Sequence, residues 1–345
     1  MIRPLIFAFT MMTASASAGP MDDALKEAFA AGELEGLHAV YVLQHGEPLA
    51  ESYFEGVDQR WGQDLGPVQH GPEELHDLRS VSKVITGLLY GIALSEGIVP
   101  DLDAPLVAQF PEYEDLASDP DRQRILIRHV LSMQMGIEWN EDLPYTSAAN
   151  SEIAMEQAPD RIRFVLERPI ISEPGAGFIY NGGATAVLGA LVSRGAAMPL
   201  DQFAKERLFA PLGIDRFEWL GGEDGIPSAA SGLRLRAQDL AKIGQLVLQD
   251  GNWRGQQIIP KDWLAAAQSP NVQAPPLQYG LHWWLAPSDP PAWSAGFGNG
   301  GQRFSINKKL GLVFVAFAGR YNDPEAWQLP VKVVTDYLAP ILRGK

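Results

Sequence analysis

The sequence contains no cysteine among its 345 residues. Disulfides, thiolate metal sites, a cysteine nucleophile and lipid attachment through an N-terminal cysteine are thereby excluded. Basic residues are also scarce: 27 Lys plus Arg stand against 42 Asp plus Glu, a formal charge of -15 at pH 7. That balance argues against nucleic-acid backbones and anionic membranes as partners. Beyond the N-terminus no apolar run has the length of a membrane span. No G-x-S-x-G occurs, which disfavours an α/β-hydrolase nucleophile elbow. The six histidines, His38, His45, His70, His76, His129 and His282, show neither H-x-x-x-H nor H-E-x-x-H spacing, so they read as surface or satisfied core residues. The abundant acids read as a solvated surface. No metal or organic cofactor is expected, and there is no internal repeat, low-complexity tract or disordered linker.

What is present begins with "MIRPLIFAFTMMTASASAGP". Arg3 precedes an apolar run from Leu5 to Met12, and small residues follow at Ala14, Ala16 and Ala18. This is a signal-peptide pattern over residues 1–18, so export to the periplasm or medium is expected. Next, "MDDALKEAFAAG" reads as an amphipathic helix stopped by Gly32, and "HAVYVLQHGEPLAESYFEG" as two strands joined at His45 and Gly46. From Arg79 to about Gly232 the signals are mostly helix and loop. "QRFSINKKLGLVFVAFAG" then reads as two strands around a polar turn, before a closing helix, "LPVKVVTDYLAPIL". Strands at both ends with helices between predict an α/β (α+β) domain from 19–78 and 232–345, interrupted by a helical domain over 79–231.

The chemistry-bearing stretch is "LRSVSKVITGLLYGIALSEG", residues 78 to 97, read as a buried helix that carries no charged side chain from Val84 to Ser95 yet has Lys83 in its first turn. Ser80 and Lys83 share a face at i, i+3. A serine hydroxyl needs a neighbour to take its proton, and a lysine desolvated at the foot of such a helix has the lowered pKa that the role requires. Alone, such a pair is more often a cap and a snorkelling lysine than a catalytic pair; a second S-x-x-K, Ser305 and Lys308, spans a hairpin turn. Tyr180, among Gly175, Gly177, Gly182 and Gly183, is placed to enter a cleft, where a nearby ammonium would lower its pKa. "AGFGNGGQRF", residues 295 to 304, offers an exposed backbone edge suited to stabilising an oxyanion.

In these features the chain resembles the serine β-lactamase and penicillin-binding family, in its class C-related branch of esterases and 6-aminohexanoate-oligomer hydrolases. "SVSK" matches the first motif, "YNG" falls where the family has Tyr-x-Asn, and "GFGNGGQ" falls at the third motif. "IRHVLSMQMGIEW", "FAKERLFAPLGI", "SGLRLRAQDLAKIGQLVL" and "YGLHWW" are similar to the family, in its order. The resemblance implies an antiparallel sheet flanked by helices with an inserted all-helical domain. It further implies Ser80 as acylated nucleophile, Lys83 as the amine that helps deprotonate it, and Tyr180 as general base and acid. The N–H groups of Ser80 and Asn299 would form the oxyanion hole.

Two positions depart from the family pattern. Gly182 replaces an Asn or Ser, for which Asn181 could compensate, and Gly296 stands where a Lys or His cation is usual, with Arg303 a differently placed substitute. Asn181, Gly182, Gly298, Gly300, Trp283 and Phe297 are expected to contact substrate, with Trp139, Trp284 and Trp293 near the cleft and favouring apolar groups. The expected partner is a small ester or linear amide, and a monomer is expected. A β-lactamase or D,D-peptidase is the alternative within the class, and a non-catalytic binding or sensor domain the alternative outside it.

Overall fold

The computed structural model describes residues 19–222 and 224–344; the expected signal peptide lies outside the described residues. The framework is an eight-stranded antiparallel sheet. In chain order its strands are β1 (Leu37–Gln44), β2 (Glu47–Tyr53), β3 (Val272–Ala274), β4 (Leu277–Tyr279), β5 (Trp284–Leu285), β6 (Ser294–Gly298), β7 (Gln302–Asn307) and β8 (Leu312–Ala318). Across the sheet they run β3-β4-β5-β6-β7-β8-β1-β2. The N-terminal hairpin thus completes a sheet otherwise built by the C-terminal part of the chain. Its turn uses positive φ at His45 and Gly46, as a two-residue hairpin loop requires.

β8 is an interior strand, between β7 and β1, and is buried along its whole length. Leu312, Phe314 and Ala316 face one apolar core, together with the helix α1 (Pro20–Ala30) and the C-terminal helical segment 328–343. Val313, Val315 and Phe317 face the other, shared with the helices α2 (Ser82–Ser95) and Ala237–Leu248. This period-2 division of one strand between two cores fixes the layering as helix, sheet, helix. The helix α2 is buried from Ser82 through Ala93, which explains its apolar sequence on every face. It packs on Gly182–Ala196.

The stretch between β2 and β3 is not purely helical. A hairpin, Glu55–Arg60 with Gln63–Gln69, follows β2, and the short strands His76–Asp77 and Glu218–Trp219 both pair with Leu233–Leu235. The segment "ILIRHVLSMQMGIEW" holds only a five-residue helix, Ile127–Leu131, before the chain opens into loop. Those irregular backbones carry the side chains that complete the site.

Candidate active site

Ser80 sits in a single 3₁₀ turn, Arg79–Val81, that links the strand His76–Asp77 to α2. Arg79 turns the chain with φ of 49°, a left-handed conformation that costs a non-glycine residue energy and so must be held from outside. Asp77 binds its guanidinium at 3.1 Å, Gln59 accepts from it at 3.1 Å, and Tyr321 lies beneath it. Ser80 is thereby presented on the wall of a cleft of about 690 Å³, which Asn299 also lines.

The Lys83 Nζ lies 3.0 Å from Ser80 Oγ, 3.1 Å from Glu152 Oε2 and 3.4 Å from the Ala230 carbonyl, and it sits 5.0 Å from the Tyr180 ring centroid. The helix geometry predicted from i, i+3 spacing is present. The electrostatics differ from expectation. Burial by itself would lower the Lys83 pKa; the Glu152 carboxylate, reinforced by Tyr180 and Glu141, overrides it and raises the pKa above the ordinary lysine value. Lys83 is an ammonium at rest, not a free amine. Burial likewise raises the Tyr180 phenol above 10.0, because Lys83 and a hydrogen bond with Ser80 do not offset burial plus two nearby glutamates. Tyr180 is therefore protonated at rest.

Glu152 and Glu141, which the sequence offered as surface acids, are the residues that sequence reasoning missed. Asn150 caps the helix Ser151–Glu156, its Oδ1 accepting from the Glu152 and Ile153 N–H groups, and so aims Glu152 inward. Glu152 is 2% exposed. Burial pushes its pKa up, but the Lys83 ammonium, together with hydrogen bonds from Lys83, Ser231 and Glu141, brings it below 4.5. Glu141 accepts from Trp139 Nε1 at 2.6 Å, Tyr145 at 2.9 Å and the Gly182 N–H. Burial and the neighbouring Glu152 push Glu141 up to about 7. Two adjacent carboxylates thus divide their roles: one stays ionised against the lysine, and the other holds its proton up to about pH 7.

Gly182 has a specific reason to lack a side chain. A Cβ there would lie 2.3 Å from Glu152 Oε2 and 3.1 Å from Glu141 Oε1. The Glu152 carboxylate fills the space in which a side chain of the second motif would otherwise meet Lys83. Asn181 does not compensate: it is buried, and its Oδ1 caps Gly182–Ala196 by accepting from Ala184 N–H at 3.0 Å.

The third motif is also shaped by packing. A Cβ on Gly296 would lie 2.9 Å from Val84 Cγ2 and 3.3 Å from Val81 Cγ1, and one on Gly298 would lie 2.4 Å from the Leu78 carbonyl. β6 therefore lies directly against the nucleophile turn, and no cationic side chain fits at 296. Gly300, at φ 93°, would drive a Cβ into Tyr321 and Gln302. Asn299 is fixed by its side chain, which donates to Asn322 Oδ1 at 3.0 Å and accepts from Asn322 N–H at 2.7 Å. Its own N–H has no backbone acceptor among the described residues.

The aromatic residues divide. Trp283 is wholly buried, 5.8 Å from Phe304 between ring centroids, and Trp139 lies in the core behind Glu141; neither borders the cleft. Trp284 stacks on Phe297 at 5.6 Å and lies 5.8 Å from Tyr180. Arg303 covers Phe297 and Trp293 from 4.2 and 5.2 Å. It braces this aromatic layer, and it is absent from the residues lining the cleft. The cleft itself is lined by Trp61 and Tyr145 with Arg79 and Arg161. Both arginines are held in ion pairs, Arg79 with Asp77, which also pairs with Arg234, and Arg161 with Glu156 and Asp224.

The ionisation of Glu141 has a consequence for stability. Its folded pKa, about 7, lies above the ordinary 4.5, so its contribution is fully present below about 4.5 and is lost as pH rises through about 7. Thermal melts of wild type and Glu141→Gln at pH 5 and pH 8 check this. The variant is expected to gain relative to wild type at pH 8; a constant difference would contradict a buried proton on Glu141.

The sheet with its covering helices, and a serine whose hydroxyl meets a buried lysine and a tyrosine, define a class: this is a serine hydrolase. The model for the family described as Beta-lactamase matches residues 21–330, and the chain belongs to that family. The 6-aminohexanoate-dimer hydrolase of Paenarthrobacter ureafaciens is 24% identical over 311 residues, covering 83% of this chain and 73% of that one. Esterase EstB of Burkholderia gladioli is 26% identical over 215 residues, 60% of this chain and 52% of its own length. Among solved structures, a Bacillus anthracis protein assigned as a 6-aminohexanoate-dimer hydrolase superposes with a TM-score of 0.75 at 21% identity, covering 95% of this chain and 84% of that one.

Proposed function

We propose that this is an exported, monomeric serine hydrolase that cleaves uncharged esters or short linear amides through an acyl-enzyme on Ser80. The observation that carries the reading is the unbroken path from Ser80 Oγ through Lys83 Nζ to Glu152 Oε2, with steps of 3.0 and 3.1 Å. As Ser80 gives its proton to Lys83, Lys83 passes one to Glu152, and the alkoxide attacks the carbonyl carbon. The N–H groups of Ser80 and Asn299 receive the oxyanion. Tyr180 protonates the leaving oxygen or nitrogen as its bond to the acyl carbon breaks. The resulting phenolate beside the Lys83 ammonium then takes a proton from water, whose hydroxide attacks the ester on Ser80. Ser80 leaves with a proton from Lys83, and Glu152 returns its proton to Lys83, so every group ends as it began.

Substrate class follows from what the cleft withholds. Position 296 has no room for a cation and the cleft arginines are already paired, so a substrate carboxylate finds no free partner there. This favours a neutral ester or amide over β-lactams and D,D-peptides. Incubation with p-nitrophenyl butyrate and intact-mass spectrometry tests the reading. One added butyryl group per chain, on the peptide bearing Ser80, is expected, with nitrocefin turned over slowly if at all. Ester turnover with no trapped acyl group, or rapid nitrocefin hydrolysis, would overturn it.

A further inference from the structure

A second polar cluster lies beneath the nucleophile turn and takes no part in the mechanism above. His38 on β1, Asp58 on the first strand of the hairpin that follows β2, His70 just past its second strand, and His76 on the strand leading to Ser80 converge from separate segments. Each is at most 6% exposed. One ligand atom from each side chain lies within 4.8 Å of those of the other three. We propose that His38, Asp58, His70 and His76 form a structural zinc site that fastens the strand feeding the nucleophile to the main sheet.

The geometry is that of a coordination shell. The three edges joining His38 Nδ1, His76 Nε2 and Asp58 Oδ1 measure 2.9, 3.5 and 3.9 Å. They bracket the edge of about 3.3 Å that a tetrahedron with zinc–nitrogen bonds of about 2.05 Å would have. The outer contacts also suit ligands. His76 Nδ1 lies 3.0 Å from the Asp77 carbonyl, which can only accept, so the His76 lone pair is on Nε2, facing the cluster. The same Asp58 Oδ1 that faces the two histidines accepts from Tyr321 at 2.7 Å, which leaves it a second lone pair. Metal-bound histidine is held by a carbonyl behind the ligand, and a ligating carboxylate is itself hydrogen-bonded, in this way.

His70 supplies the fourth side. Its Nε2 is buried with no hydrogen-bond partner, and its ring is stacked on His38 with centroids 4.2 Å apart, so a swing off that ring closes the shell. Three imidazoles and one carboxylate, with no position left for water, suit zinc in a closed structural site rather than a catalytic one. The link to catalysis is mechanical. The neighbouring Asp77 holds the Trp61 N–H at 2.6 Å and the Arg79 guanidinium at 3.1 Å, and both residues line the cleft.

The test is made on untagged full-length protein stripped with dipicolinate and titrated with zinc against a chromophoric competitor. One equivalent per chain is expected, with a melting temperature about 5 °C higher at a hundredfold excess over Kd. Cobalt should give the intense visible bands of a tetrahedral ion. His76→Gln and Asp58→Asn should each weaken zinc binding by about 100-fold or more, whereas His45→Gln, at an exposed histidine, should not. Folded wild-type protein that takes up no zinc at micromolar concentration and melts unchanged would overturn the proposal. So would binding that survives these ligand substitutions; if a variant fails to fold, the wild-type stoichiometry and cobalt spectrum decide.

Discussion

Ser80→Ala is expected to lower ester turnover by about 10⁴-fold or more and to abolish covalent acylation, while leaving the melting temperature within a few degrees of wild type. The size follows from the loss of the only covalent route; what remains is binding plus the backbone donors, which alone sustain a small residual rate. Stability changes little because the hydroxyl faces the cleft and the Lys83 ammonium keeps its bonds to Glu152 and Ala230. Steady-state kinetics and thermal melts on one preparation give both numbers. Activity within tenfold of wild type would move the nucleophile elsewhere.

The second large effect belongs to Glu152. Glu152→Ala leaves an ammonium with 1% exposure without its hydrogen-bonded counter-ion, and removing one partner of a buried pair typically costs about 3–5 kcal/mol. A large fall in melting temperature is expected together with loss of activity. Glu152→Gln separates the two consequences. Its amide oxygen still accepts from Lys83 but cannot take a proton, so kcat should fall by about 10²- to 10³-fold with a smaller thermal penalty. Gly182→Asn provides the reciprocal check. In wild type its side chain collides with Glu152, whereas combined with Glu152→Ala it has room and brings an amide toward Lys83, so the double variant should be more stable than either single one. Independent, additive losses would show that Gly182 and Glu152 do not share one space.

Which parts of this site could be read from the sequence depended on how local the signal was. Ser80 and Lys83 were legible because one helical turn sets their spacing, and Tyr180 because glycines punctuate the chain around it. Glu141 and Glu152 were not: a glutamate carries no mark of burial, and what turns Glu152 inward is a cap from Asn150. The Lys83 and Tyr180 ionisation states were misjudged for the same reason, since the carboxylates that set them come from distant loops. β8 was plain as a continuous run of apolar, β-branched and aromatic residues, and the hairpin of β1 and β2 from its apolar strand and the turn at His45 and Gly46. The hairpin Glu55–Arg60 with Gln63–Gln69 was invisible because most of its residues face solvent, leaving no period-2 pattern to find. The four-ligand cluster escaped because its members are dispersed from 38 to 76 and meet only when that hairpin folds back on β1.

The contact of Gly296 with Val81 and Val84 also bears on how the specificity of this scaffold could be redesigned. A lysine or histidine cannot be grafted at 296 as a single change, because the room it needs belongs to the helix that carries the nucleophile. Trimming those valines to make space would loosen the first turn behind Ser80. Specificity for anionic substrates and precision of the nucleophile thus compete for the same few ångströms, and an engineered or natural route between them must move the helix and the strand together.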